Sequence, residues 1–287
     1  MSANLTAHPP TPPAGPVRTS SSLLRRLPAA TDVVTPLLAG AVFLFIWEML
    51  VHYFQVSRFI LPAPSAIFAK LVADFPLLLK ALAFTASITL GAFIAAVLSG
   101  IAVGVLITQN RTIERILWPY AVALQVTPMV AIAPLVVIWV GLNKVWLGLL
   151  VLAWIVAFFP MLSNTAVGMK SADHGLRNVF SLYKATRWQR FRYLQLPSAL
   201  PFILAGVRIS SGLSVIGAVV AEFVAGSGSA TGLAWIIVES GTMLDIARMF
   251  AALFMLSTFG LLIWLVMGMV QNRLLSRWHE SEVVQEG

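Results

Sequence analysis

Six stretches of this sequence are long and apolar enough to cross a lipid bilayer, and no other feature constrains its fold as tightly. A span needs about 20 apolar residues. The runs 33–54, 82–108, 117–140, 145–167, 201–224 and 248–271 meet that length. Only 10% of the 287 residues are charged and 59% are hydrophobic, where a soluble domain would carry about 25% charge. With lipid as the main solvent, the backbone must satisfy its own polar groups inside each span, so the expected fold is all-α, a polytopic protein of six transmembrane helices. The third and fourth runs are nearly continuous, and Gly141, Leu142, Asn143 and Lys144 are the one turn signal between them.

The net charge of +8 would suggest nucleic acid in a soluble protein. Here the basic residues sit in short segments between spans and read as an orientation signal. With the N-terminus inside, 13 of the 19 Lys and Arg fall on inside segments, five on outside segments and Arg208 within the fifth span. That bias predicts both termini in the cytoplasm of a multi-pass protein of the bacterial inner (plasma) membrane. Residues 1–31 hold six of the 16 prolines and read as a disordered, Pro-rich tail rather than a signal peptide, because the apolar run that follows is too long. The domain expected is 32–275, with a second short tail at 276–287.

Three loops exceed simple turns: 55–81 and 225–247 outside, and the strongly basic 168–200 inside. In the last, Leu176, Val179, Phe180 and Tyr183 recur at i, i+3, i+4 and i+7, one apolar stripe on a short helix. Two readings stand for it: a helix lying on lipid headgroups, or a docking helix that enters a groove on a cytoplasmic partner. Trp188, Phe191 and Tyr193 add the aromatic anchors that protein interfaces favour. Pro197 and Pro201 are expected to stop the helix before the fifth span.

The resemblance to a family enters at this loop. Leu194-Gln195-Leu196-Pro197 is similar to the I-x-L-P that closes the cytoplasmic E-A-A motif of ABC importer permeases, with Lys184 at the motif glycine and Asn178-Val179-Phe180 at a degenerate E-A-A. The flanks strengthen it. Leu196 to Ile203, Gly206-Val207-Arg208, Ala221-Glu222-Phe223 and Gly232-Leu233 resemble the nitrate/sulfonate/taurine group of these permeases. So do Leu61-Pro62-Ala63-Pro64-Ser65, Thr127-Pro128, Ala133-Pro134-Leu135, Trp139-Val140-Gly141, Phe159-Pro160 and Asn164-Thr165. The resemblance covers roughly residues 36–275 and implies the type I importer permease fold. It implies partners too: two ATPase subunits, a second permease, expected to be a further copy of this chain, and a periplasmic or lipid-anchored substrate-binding protein. ATP and Mg would then sit on the ATPase, with no cofactor on this chain. The cargo implied is a small anion such as nitrate, a sulfonate or taurine, with a pyrimidine vitamin precursor, riboflavin or an aromatic acid as the alternative. Lys184 at the motif glycine cannot take a positive φ cheaply, so the turn there is expected to be shifted or more helical.

Two sets of residues follow as candidates. The ATPase-docking set is Leu176, Val179, Phe180, Tyr183, Lys184, Ala185, Trp188, Phe191, Leu196 and Pro197. The translocation path or gate set is Thr127, Pro128, Pro134, Ser210, Ser211, Ser214 and Glu222. Pro119, Pro128 and Pro134 crowd the third span and predict a bent, partly opened helix beside a pore. Gly206, Ser210, Ser214, Gly217 and Ala221 form a small-residue face on the fifth span, which serves either close helix packing or a pore and dimer face. Glu222, an ionisable group in a span, is expected to be turned aside and held by backbone amides of 226–232. Arg208 can snorkel to headgroups, and Glu48 is a possible partner for a basic group.

No G-x-x-x-x-G-K-[ST] occurs, so energy must come from another polypeptide. The four histidines are scattered, there is no cysteine, and no Ser lies in a G-x-S-x-G elbow. A self-sufficient secondary transporter competes less well, since paired charges at mid-membrane are scarce.

Overall fold

A computed structural model describes residues 30–225 and 231–275, all its regular structure being helical. The tails and the Gly/Ser-rich 226–230 lie outside the described residues. Among the described residues five helices are long and apolar enough to cross a membrane. They are α1 (Ala30–Tyr53), α3 (Phe75–Gln109), α6 (Val145–Lys170), α9 (Leu196–Ala225) and α11 (Ile246–Leu275). The pair α4 (Arg111–Val126) and α5 (Met129–Val140) is apolar enough to count as a sixth crossing if taken as one span, and is bent by 104° at the break. Shorter helices are α2 (Pro64–Ala73), α7 (His174–Leu182), α8 (Arg187–Arg190) and α10 (Leu233–Thr242). The chain divides into two compact units after Ile46. In the first, the described part is the start of α1, exposed from Val34 to Ile46. Everything that follows concerns the second.

The bend between α4 and α5 has a covalent cause. Thr127, preceding a proline, is extended (φ −64°, ψ 126°), and Pro128 has no N–H to give. The helical ladder ends with Thr127 N bonding Ala123 O and resumes with Ala131 N bonding Pro128 O, both at 3.0 Å. Pro119, Pro134 and Pro160 stay inside α4, α5 and α6. Of the three prolines in this span only Pro128 breaks it.

At the core is α6, buried along Leu149, Leu152, Ala153, Ala157, Met161, Leu162 and Thr165. Lipid gives helices no hydrophobic drive to associate, so close backbone approach supplies the packing. On one side α3 approaches through Gly100 and Gly104, where an added Cβ would stand 2.7 Å from the Cβ of Met161 and Thr165. On the other, α9 approaches through Gly206 and Gly217, the latter with Ala153 Cα 2.9 Å from such a Cβ. The small-residue face of α9 is therefore occupied within the protomer by α6, as the close-packing reading of the two has it.

Pro197 and Pro201 do not stop the chain. A π turn over Phe191–Gln195 runs directly into α9, with Leu196 N bonding Phe191 O, five residues back. The wider turn resets the ladder just ahead of Pro197, and Pro201 lies within α9.

Candidate functional site

The basic loop builds an exposed apolar ridge on one face of the molecule. Asp173 opens α7 by accepting from Leu176 N at 3.1 Å. Thr186 and Gln189 open α8 with reciprocal bonds, a capping box. Between them Lys184 adopts φ +48°. Lys184 N bonds Ser181 O and Ala185 N bonds Phe180 O, each at 3.0 Å, the paired bonds of a Schellman ending. The turn is thus kept at the position expected to be shifted, and a lysine occupies the left-handed conformation there.

No residue of α7 is buried. Tyr183 is 83% exposed and Trp188 68%. Leu176, Val179 and Leu182 are exposed too, and Leu182 was missed because it falls off the i, i+3, i+4, i+7 stripe. Val179, Phe180, Tyr183, Ala185, Gln189 and Tyr193 line a shallow hollow of ≈ 330 Å³. Phe191 and Leu196 behave differently: they pack against the core of Met161, Met169, Ala199 and Ile203. With the half-buried Pro197 they root the ridge instead of presenting it. Gln109 Nε2 donates to Gln195 Oε1 at 3.3 Å, and Lys170 pairs with Glu114, so the ends of α3 and α6 and the start of α4 share this face.

The second feature is a cavity of ≈ 420 Å³ at the α4–α5 break. Its lining includes Gln125, Thr127, Pro128, Met129, Pro160 and Leu213, and no charged residue. Thr127 and Pro128 of the path set meet here; Pro134 lies two turns away, in α5, and not in the lining. The serines of the path set are not exposed to it. Ser210 Oγ donates to Ala157 O, Ser211 Oγ to Arg208 O and Ser214 Oγ to Ser211 O, at 2.7–2.8 Å. All three are buried against backbone, which corrects the expectation that their hydroxyls face cargo.

On the opposite face two glutamates cap helices other than their own. Glu222 is fully buried at the end of α9. Its Oε2 accepts from Ala234 N and Thr85 Oγ1, both at 3.1 Å, while Thr85 Oγ1 accepts from Leu233 N at 2.9 Å. The first two free amides of α10 are thereby satisfied from α9 and α3. A carboxylate at a helix N-terminus is also favoured by the helix dipole. Of the donors expected in 226–232, residues 226–230 lie outside the described residues; the described backbone donor, Ala234, stands two residues beyond that segment, and among the described residues Oε1 has no partner. Thr85 gave no sequence signal, being 137 residues away in sequence. Glu48 likewise caps α2, accepting from Ser65 N at 3.0 Å and Ser65 Oγ at 2.6 Å. Its partner is that serine and His52 rather than a lysine or arginine.

The same face carries an ion network. Lys70 bonds Asp74 at 3.3 Å and Asp245 at 3.0 Å, and Arg248 bonds Asp74 at 2.6 Å. The Asp245 hydrogen bond raises the Lys70 ammonium above its ordinary pKa, against the effect of burial. Burial works against the charged form of Asp74, but hydrogen bonds from Arg248 and Lys70 outweigh it and hold its carboxyl below the usual range.

Among the described residues no three His, Asp or Glu gather as metal ligands. The comparisons with known proteins agree with the geometry. Residues 96–276 match the family model described as binding-protein-dependent transport system inner membrane component. A riboflavin transport system permease protein of Chloroflexus aurantiacus is 33% identical over 83% of this chain and 87% of its own. The taurine transport system permease protein of Escherichia coli is 29% identical over 91% of this chain and 95% of its own. One chain of a crystal structure of an amino acid ABC transporter with histidines superposes with a TM-score of 0.60 at 16% identity, over 73% of this chain and 98% of that one. That likeness shows the fold.

Proposed function

Because the chain belongs to the family of binding-protein-dependent transport system inner membrane components, a multi-pass transport subunit and not an enzyme, we propose that it couples a separate ATPase to the import of one small polar solute. The observation that carries the reading is the exposed apolar ridge of α7, on the face that is otherwise basic. Water is a poor partner for Tyr183, Leu182 and Val179 together, and a groove on a protein is a good one. The positive-inside bias puts this ridge in the cytoplasm, both termini with it. Two ATPase subunits then grip two such ridges, one from each permease of a dimer. ATP closing the ATPase pair draws the ridges together, and the roots at Phe191 and Leu196 pass that movement into α9.

Cargo arrives from a substrate-binding protein on the face of Glu222 and Lys70. The path proposed runs by the α4–α5 break, where a helix opened at Pro128 offers the carbonyls and side chains that intact helices withhold. The sequence favoured a small anion. The uncharged lining at Thr127 and Gln125, with the resemblance to a riboflavin permease, favours the alternative, and within it a pyrimidine vitamin precursor or riboflavin over an aromatic acid, because an anion leaving water needs donors or cations to replace its hydration.

The test is reconstitution. Vesicles holding this chain with its ATPase, binding protein and ATP accumulate solute, and vesicles holding this chain alone do not. Uptake without any ATPase would overturn the coupling. Competition by a panel of nitrate, taurine, riboflavin and pyrimidines against uptake decides the cargo, and competition by the anions alone would restore the first reading.

A further inference from the structure

Arg208 is the one lysine or arginine in the middle of α9, and it leans on α11. Its guanidinium lies over the Trp264 ring, 4.8 Å from the centroid, and Nη1 donates to Gln271 Oε1 at 3.4 Å. Gly268 keeps α11 clear beneath it: a Cβ there would stand 3.9 Å from Arg208 Nη2. No carboxylate pairs with Arg208 among the described residues. An always-charged fork with most of its donors unused is thus half-buried between two spans.

Its depth identifies what completes it. Arg248, at the other end of α11, belongs to the ion network with Asp74 and Asp245 and marks the level of that membrane surface. Gln271 is 23 residues along the same helix, about 35 Å at 1.5 Å per residue. The hydrocarbon core is about 30 Å thick, so Arg208 and Gln271 lie at the phosphate level of the opposite leaflet, the one beside the α7 ridge. Trp264, half exposed about two turns deeper than Gln271 on the same helix, has the amphipathic ring favoured at the hydrocarbon boundary just below the phosphates. A phosphodiester matches both the charge and the forked geometry of a guanidinium.

We propose that Arg208, Gln271 and Trp264 form a binding site for the phosphate of an anionic phospholipid in the leaflet beside the α7 ridge. The lipid bridges the ends of α9 and α11, so it braces the helix that carries the ridge. The inference does not depend on the cargo or on the docking of the ATPase.

The assembled transporter tests it. Native mass spectrometry of the complex purified from phosphatidylcholine nanodiscs containing phosphatidylglycerol should retain one phosphatidylglycerol per permease chain. Arg208→Gln should lose it, and Arg208→Lys, which keeps charge but not the fork, should retain it more weakly. Equal retention by Arg208→Gln would overturn the site. The unaltered complex supplies a second measurement: its melting temperature should be higher in nanodiscs with phosphatidylglycerol than in phosphatidylcholine alone. No rise would count against the site. Inorganic phosphate added to phosphatidylcholine nanodiscs should give no rise; if it substitutes fully for phosphatidylglycerol, the site is one for free phosphate and the lipid proposal fails.

Discussion

A Cβ on Gly232 would stand 2.2 Å from the carboxyl carbon of Glu222, so the carboxylate fills the space that this glycine leaves. Gly232 is the residue before α10, and the carboxylate reaches past it to Ala234 N. The glycine serves here for close approach, not for an unusual φ, which is −90°.

Gly232→Ala should therefore expel the carboxylate and act like loss of Glu222. Both Gly232→Ala and Glu222→Ala leave buried amide and hydroxyl donors unpaired, a cost of about 1–3 kcal/mol, and should slow ATP-driven uptake. Glu222→Gln keeps an acceptor and should be mild. The double variant, measured by thermal unfolding in detergent, should be no worse than the worse single one. Additive losses would show that the two residues act separately.

Tyr183→Asp and Phe180→Asp should weaken capture of the ATPase while leaving the permease folded, because Tyr183 is 83% exposed and Phe180 lines a surface hollow. A charge forced into a packed groove costs several kcal/mol unless paired. Co-purification of the ATPase with each variant checks this, and undiminished capture would remove α7 from the interface.

Lys184→Gly relieves a left-handed lysine, worth roughly 1 kcal/mol, partly offset by the greater freedom of glycine in the unfolded chain. The variant should be as stable as the parent or slightly more so. Lys184→Val, whose branched Cβ resists that conformation, should lower both stability and ATPase capture. Equal behaviour of the two would mean that the turn forms elsewhere.

Gly217→Val should be among the most damaging apolar substitutions, since the added atoms meet Ala153 Cα, which is backbone and cannot swing away. Overpacking of this kind costs about 1–3 kcal/mol. Gly212→Val, with nothing near its Cβ, should cost far less, and a melting-temperature comparison of the two decides the point.

Asp74 predicts a pH dependence on the face opposite the ridge. Its folded pKa is lowered by Arg248 and Lys70, so its contribution is present above the unfolded value, about 3.9, and is lost as pH falls through the folded pKa. The stability difference between the parent and Asp74→Asn should hold steady from pH 7 to 5 and shrink below about pH 4. A difference that instead grew with acid would reverse the assignment.

Much of this protein is legible from sequence because it is a property of single segments. A run of apolar residues must cross lipid as a helix whatever lies beside it, so each of the six runs falls on a long apolar helix or, for the third, on the bent pair α4–α5, with α3, α4 and α9 starting one to two turns earlier than the runs suggested. The proline before a broken ladder and the apolar stripe of α7 are likewise local. Pairings between segments are not. The face of Gly206, Ser210, Ser214, Gly217 and Ala221 reads the same whether its partner is α6, a second subunit or a pore; only the fold gives it to α6. Glu222 could be marked as important, but not as the cap of α10 with help from Thr85, because those donors come from helices far apart in sequence. Lys184 shows the same limit within one turn. Intrinsic preference argued against a positive φ there, and the roots of the ridge at Phe191 and Leu196, with the bonds to Ser181 O and Phe180 O, hold it nonetheless. Periodicity in a sequence reports which face a helix buries; tertiary structure alone decides what that face is buried against.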